Sequence, residues 1–121
     1  MNFKVKTYNA IAETGLSLLK NSDFEISENL DAPDAMILRS YKLTNNDIES
    51  SIKAIARAGA GVNNVPVDYC SDKGIVVFNT PGANANAVKE IVLAGLLLSS
   101  RGIYSGANYI NDIQGVDQGD L

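Results

Sequence analysis

Three short stretches carry residues suited to holding an anion: Arg39-Ser40 after the run AMIL, Arg57 with Gly59-Ala60-Gly61 after IKAIA, and Asn79 to Asn84 after IVVF. An arginine guanidinium is a planar fork that grips an oxyanion through parallel N–H bonds. Glycines leave backbone N–H groups unobstructed, so a glycine turn ahead of a helix suits a carboxylate or a phosphate. The same glycines equally suit a tight turn with positive φ and no ligand. Arg39 and Arg57 also have plainer roles open to them, as a solvated charge at a strand end or, for Arg57, as half of an internal ion pair. Asn84 and Asn86 suit the cap of a following helix, and Asn84 still has an amide to offer a ligand.

The run Gly59-Ala60-Gly61 invites comparison with a dinucleotide-binding turn. That fingerprint needs G-x-G-x-x-G at the first strand-to-helix turn, with an acid about 20 residues on for a ribose hydroxyl. Here the third glycine is replaced by Asn64, the position 20 residues on is Asn79, and the turn follows a late strand. Binding of NAD by this loop in the Rossmann manner is therefore rejected.

The elements that must carry these residues alternate along the chain. FKVKTY at 3 to 8 suits a strand, and NAIAETGLSLLKN spaces Ile11, Leu16, Leu18 and Leu19 as one face of a short helix. FEISENL at 24 to 30 suits an exposed strand, Asp31 to Asp34 a turn, and AMILRS at 35 to 40 a buried strand. TNNDIESS predicts a short helix capped by Thr44, with Asp47 at the capping-box position. IKAIARA at 52 to 58 is the next strand, PVDYCSDKG at 66 to 74 a helix closed by Gly74, and IVVFN at 75 to 79 a further strand. Apolar strand runs between helices predict an α/β fold with a doubly wound parallel sheet, flavodoxin-like or Rossmann-like. Ligands of such sheets bind beyond the carboxyl ends of the strands, where all three polar stretches fall. One long helix is expected from about Asn84 to Ile103, with apolar residues on so much of its surface that it expects burial on more than one side. Residues 104–121 read as that helix fraying into a linker.

The bulk numbers narrow the chemistry. A chain of 121 residues with 45% hydrophobic and 20% charged residues is one ordinary globular domain in size. A net charge of −4 argues against nucleic acid as a partner. Cys70 is the single cysteine, which excludes an internal disulfide and fits a reducing compartment; an inert, buried thiol is expected. With no histidine, the chain holds neither an imidazole general base nor a His-containing metal site. The longest apolar run, IVLAGLLL, falls short of the ~20 residues a membrane-spanning helix needs, and the N-terminus lacks the apolar core of a secretion signal. The chain reads as soluble and cytoplasmic, with no membrane partner.

AMILRS, ARAGAGVNNV and KGIVVFNTPGANANAVKEIVLAGLLLSSRGI, in this order and spacing, resemble the substrate-binding domain of the D-isomer-specific 2-hydroxyacid dehydrogenases, most closely the branch that oxidises 3-phosphoglycerate. The resemblance runs from the first strand to about Ile103, which sets an expected substrate domain at 1–103. It implies an NAD-dependent, two-domain enzyme of serine biosynthesis that makes 3-phosphohydroxypyruvate in the cleft between its domains. It also implies that Arg39 and Ser40 contact the substrate phosphate and carboxylate. Ala60 and Gly61 would receive the carboxylate, Ala60 would lie near the nicotinamide, Asn84 would touch substrate, and Glu90 would be structural. Asn63 and Pro66 depart from the acidic residues usual there; Pro66 suits a helix's first turn.

In the family a cofactor domain with its G-x-G-x-x-G, catalytic Arg, Glu and His follows, and these 121 residues stop before it. The chain alone is therefore expected to be inert, with NAD bound mainly elsewhere and no catalytic or metal-binding residue of its own. Two other functions stay open: a stand-alone module for small anions, and an enzyme acting on glyoxylate, hydroxypyruvate or another 2-hydroxyacid. The apolar helix at 84–103, around Leu93 and Leu97, is expected to self-associate or to fold back on its own domain.

Overall fold

In a computed structural model of the chain, residues 2–9, 11–20, 23–115 and 119 are described. Ala10 and Asn21 of the expected first helix, and 116–118, 120 and 121 of the expected linker, lie outside them. Contacts divide the chain into two compact units, Met1–Ala83 and Asn84–Leu121.

The first unit is a five-stranded sheet of β1 (Phe3–Tyr8), β2 (Phe24–Ser27), β3 (Ala35–Leu38), β4 (Ala54–Arg57) and β5 (Val76–Phe78), in the order β2-β1-β3-β4-β5. Every neighbouring pair is parallel, as the apolar runs predict. Helices α1 (Glu13–Lys20) and α2 (Val67–Asp72) lie between strands, and a 3-10 turn at Asn45–Asp47 stands where a short helix is expected. There the Asp47 carboxylate accepts the backbone N–H and the hydroxyl of Thr44, each at 2.7 Å. The register pairs Tyr8 with Leu38, Leu38 with Arg57, and Ala56 with Phe78. The carboxyl ends of β1, β3, β4 and β5 are therefore level along one edge. β3 stops at Leu38, so Arg39 and Ser40 stand beyond the strand instead of within it.

The core fixes that edge. Met36, Leu38, Leu43, Ile48, Ile52, Ile55, Val65, Cys70 and Ile75 form one buried cluster, joining β3 and β4 to the loops that follow them and to α2. Removing a side chain such as Leu38 or Ile55 from water contributes about 1.5–3 kcal/mol. Burial also pushes the Cys70 thiol above its ordinary pKa, in keeping with an inert cysteine. α1 departs from its expected face: Ile11 precedes the helix, and Leu18 is 78% exposed. Leu16 and Leu18 are two residues apart, a spacing that turns side chains to different sides of a helix.

The second unit holds α3 (Ala85–Ser100) and α4 (Ile103–Asp112), which contact one another. Gly102 adopts a left-handed φ of 61°, ends the first helix and starts the second. The expected fraying into a linker is corrected to a second helix, with apolar Ile103, Tyr104, Tyr109 and Ile110 exposed on it.

At the amino-terminal edge Asp34 ties three strands together. Its carboxylate accepts the Lys4 N–H at 3.0 Å and the Lys53 ammonium at 2.7 Å. Its backbone N–H donates to Lys4, and its carbonyl accepts from the Lys53 N–H, each at 2.8 Å. The Lys53 hydrogen bond first, and the Lys4 N–H second, hold the Asp34 carboxyl below the ordinary value of 3.8. The Thr44 hydrogen bonds depress Asp47 likewise. A depressed folded pKa means stability that is complete above the ordinary value and is lost as pH falls through the depressed one. Urea unfolding followed from about pH 6 down to about pH 2 should show a falling midpoint below about pH 4. Asp34→Asn should flatten that dependence; a slope unchanged by the substitution would remove Asp34 from its cause.

Candidate functional site

The carboxyl edge of the sheet gathers four loop starts: Asn9 after β1, Arg39-Ser40 after β3, Ala58 to Asn64 after β4, and Asn79-Thr80 after β5. Asn9 sits in the left-handed region at φ 66°, a conformation asparagine tolerates better than most residues. Its Oδ1 accepts the N–H of Ser40 at 3.2 Å and of Tyr41 at 2.6 Å, which hangs the turn after β3 on the end of β1. Tyr8 and Tyr41 stack beside it with ring centroids 4.6 Å apart. The Tyr41 hydroxyl donates to Asp47 at 3.3 Å, and that negative charge raises its pKa.

The glycine loop is held by its carbonyls. The Gly59 carbonyl accepts the Thr80 N–H at 3.0 Å, that of Ala60 accepts Asn79 Nδ2 at 2.7 Å, and that of Gly61 accepts Arg57 Nη1 at 2.7 Å. The N–H groups of Ala60, Gly61 and Val62 donate to nothing among the described residues. Three successive peptides thus have their acceptor ends occupied and their donor ends spare. Such a row of donors can take a carboxylate or phosphate oxygen.

Neither Gly59 nor Gly61 has a positive φ, which corrects the tight-turn expectation. The need for glycine at 59 is steric instead. A Cβ there would stand 2.5 Å from Arg57 Nη1 and 2.6 Å from its Cζ, because the guanidinium crosses directly over the residue. At Gly61 the nearest atoms, Asn63 Oδ1 at 3.4 Å and Arg57 Nη1 at 3.6 Å, are at ordinary contact distance. Among the described residues Arg57 forms no ion pair; besides Gly61 it donates through Nε to the Arg39 carbonyl at 3.1 Å.

Of the residues expected to bind substrate, the structure brings Arg39, Ser40, Ala60 and Gly61 to the same edge. The Arg39 side chain is exposed and has no hydrogen bond or ion pair among the described residues, while its carbonyl is engaged twice. Asn84 belongs to the second unit, where it precedes α3 and makes no side-chain cap bond. Asn86 lies inside α3, not at its cap, donating to Glu90 at 2.7 Å and accepting from Lys89 at 2.6 Å. Asn64, in sequence only a failed glycine position, and Asn79 both anchor the loop: Asn64 Nδ2 donates to the Tyr41 carbonyl at 2.7 Å and to that of Arg39 at 3.3 Å, and Asn79 Nδ2 to that of Ala60. Their common signal is asparagine in a loop that follows a strand, where its amide can take up stray backbone carbonyls.

The loop does not fit a dinucleotide. Asn64 fills the place where the third glycine would admit close packing, and its amide is committed to two carbonyls. Among the described residues no three metal-ligating side chains come together, and no helix is long and apolar enough to cross a membrane. A cavity of about 210 Å³, lined by residues including Ile52, Tyr69, Lys73 and Ile75, opens at the opposite edge of the sheet, away from the spare donors.

Residues 4–111 match the family described as D-isomer specific 2-hydroxyacid dehydrogenase, catalytic domain. The D-3-phosphoglycerate dehydrogenase of Methanocaldococcus jannaschii is 37% identical over 82 residues, 65% of this chain and 16% of that protein. The hydroxypyruvate reductase of Thermotoga maritima is 42% identical over 73 residues, 58% of this chain and 24% of that protein. The crystal structure of NAD⁺-bound 3-phosphoglycerate dehydrogenase from Entamoeba histolytica matches with a TM-score of 0.69 at 25% identity, over 81% of this chain and 39% of that one. The chain spans less than half the length of each of these proteins.

The contact between Gly59 and Arg57 generates a direct test. Gly59→Ala should displace the guanidinium and destabilise the fold by about 1 kcal/mol, through the hydrogen bonds that Arg57 gives up. The same substitution in an Arg57→Ala background should cost much less, since the guanidinium it meets is gone. Equal costs in both backgrounds, measured by urea unfolding, would show that the crossing does not constrain residue 59.

Proposed function

Because the chain belongs to the D-isomer-specific 2-hydroxyacid dehydrogenases, we propose that it is the substrate-binding part of such an enzyme, acting on 3-phosphoglycerate in serine biosynthesis. The observation that carries this is the row of spare N–H donors at Ala60, Gly61 and Val62, whose carbonyls are all engaged. A 2-hydroxyacid presents a carboxylate to such a row, and hydrogen bonds to a charged acceptor are the stronger kind. In this assignment Ala60 and Gly61 receive the carboxylate. Arg39, whose guanidinium has no partner among the described residues, and Ser40 contact the phosphate and carboxylate, and Asn84 is proposed as a further substrate contact. NAD binds mainly through residues outside these 121, with Ala60 beside the nicotinamide, in a cytoplasmic enzyme. Glu90 plays a structural part.

Hydroxypyruvate or glyoxylate is the second substrate class. It is favoured by the 42% identity to a hydroxypyruvate reductase, slightly above the identity to a phosphoglycerate dehydrogenase. A stand-alone anion module remains the third possibility, supported by the same donors.

With NAD and 3-phosphoglycerate the 121-residue chain should form no NADH, since it holds no histidine to take the hydroxyl proton. Titration followed by backbone amide resonances should nevertheless move Ala60 and Gly61, with weak affinity. Arg39→Ala should weaken 3-phosphoglycerate binding about tenfold or more, as expected for a lost hydrogen bond to a charged group, and should leave glyoxylate nearly unaffected. Equal losses for both ligands would favour an unphosphorylated substrate, and turnover by the chain itself would overturn the assignment.

We also infer self-association through α3. Ile91, Val92, Leu93, Leu96 and Leu97 are exposed together, and a second copy of the helix supplies a matching apolar surface in every preparation. Light scattering should give a concentration-dependent mass rising towards a dimer, which Leu93→Lys with Leu97→Lys should abolish. A monomer at high concentration would count against it.

A further inference from the structure

The Arg39 carbonyl is the acceptor of two side chains that lie at opposite ends of the glycine loop. Arg57 Nε reaches it at 3.1 Å from the start of the loop, and Asn64 Nδ2 at 3.3 Å from its end. Each of the two also holds a second carbonyl: Arg57 that of Gly61 at 2.7 Å, Asn64 that of Tyr41 at 2.7 Å. The Leu43 N–H donates to the Asn64 carbonyl at 2.9 Å, closing the link from the other side. We propose that Arg57 and Asn64 are positioning residues that lock segment 39–41 and loop 59–62 into one anion-receiving rim, with neither side chain contacting the substrate. The proposal rests on the substrate-binding assignment for its ligand, and on the hydrogen bonds alone for the coupling.

The chemistry of each side chain fits the task. A guanidinium donates in two directions from one rigid plane, so it can span Arg39 and Gly61; a lysine ammonium is a single point donor on a flexible stem. The crossing of Gly59 keeps that plane against the loop backbone. The Asn64 amide holds its orientation although its Oδ1 is buried with no partner, so its two donated bonds outweigh the one left unmade. Because both side chains converge on one oxygen, loss of either frees the same joint. Their effects should therefore not add.

The test is amide hydrogen exchange and anion titration on the 121-residue chain, comparing wild type, Arg57→Lys, Asn64→Ala, the double variant, and Gly59→Ala, which displaces the guanidinium without changing it. Circular dichroism melting establishes that each variant is folded under the conditions used. Exchange at Ser40 and Tyr41, whose N–H groups are bonded to Asn9, should accelerate about tenfold in each single variant, with little further change in the double. Affinity for 3-phosphoglycerate at Ala60 and Gly61 should fall about tenfold in parallel. Additive effects in the double variant, or normal exchange at Ser40 and Tyr41 with anion binding lost in Arg57→Lys alone, would overturn the proposal; the latter would make Arg57 a ligand. If wild type shows no shift with 3-phosphoglycerate, the substrate assignment fails, while the exchange data still decide whether the two segments are coupled.

Discussion

One carbonyl oxygen, that of Arg39, receives both the Arg57 guanidinium and the Asn64 amide, and the arrangement of the sheet's carboxyl edge depends on it. Parallel pairing makes this possible, because it brings the ends of β1, β3, β4 and β5 level and leaves their successor loops side by side. A level edge alone would present a tangle of unpaired peptide groups. Here asparagine and arginine side chains take up the acceptors: Asn64 and Arg57 at Arg39, Asn79 at Ala60, Arg57 again at Gly61. The donors at 60 to 62 are what remains. An exposed or half-buried peptide whose carbonyl is satisfied and whose N–H is spare can still receive an anion, without any formal charge on the loop.

The strands were legible because burial on the sheet imposes apolar runs such as AMIL and IVVF, and the capping pair Thr44 and Asp47 was legible because its hydrogen bonds are local. What escaped depends on contacts distant in sequence. Asn64 read only as an absent glycine, and Asn79 as an absent acid within a polar stretch, since their partners at Arg39, Tyr41 and Ala60 lie 25, 23 and 19 residues away. Gly59 looked like a turn former because glycine is the usual answer to positive φ. Its real constraint is a side chain two positions earlier that folds back over it, and nothing in local spacing announces that. The end of the long helix near Ile103 was legible, but the second helix after Gly102 was not, because the polar residues and glycines that follow resemble a linker.

The likeness of this loop to a dinucleotide-binding turn has a physical basis and a physical limit. Both use glycine beyond a strand to bring backbone N–H groups to an anion. A pyrophosphate, however, must approach the start of a helix closely, and that requires empty space at the third glycine position. Here that position holds an amide fastened to two carbonyls, and the helix that follows, α2, starts only after Pro66. The space is filled, and the donors face a smaller task.

Spare peptide donors accept any carboxylate, and every 2-hydroxyacid has one, so the loop by itself cannot choose among substrates. Discrimination has to come from groups that meet the other end of the molecule. In the proposed assignment Arg39 would do that work, because its backbone is pinned while its guanidinium is exposed and without a partner among the described residues. A pinned backbone limits where the fork can reach, and an unpartnered fork keeps its full affinity for an oxyanion. In the proposed assignment, the brace from Arg57 and Asn64 would serve both ends at once, holding the carboxylate-receiving loop and Arg39 in fixed register.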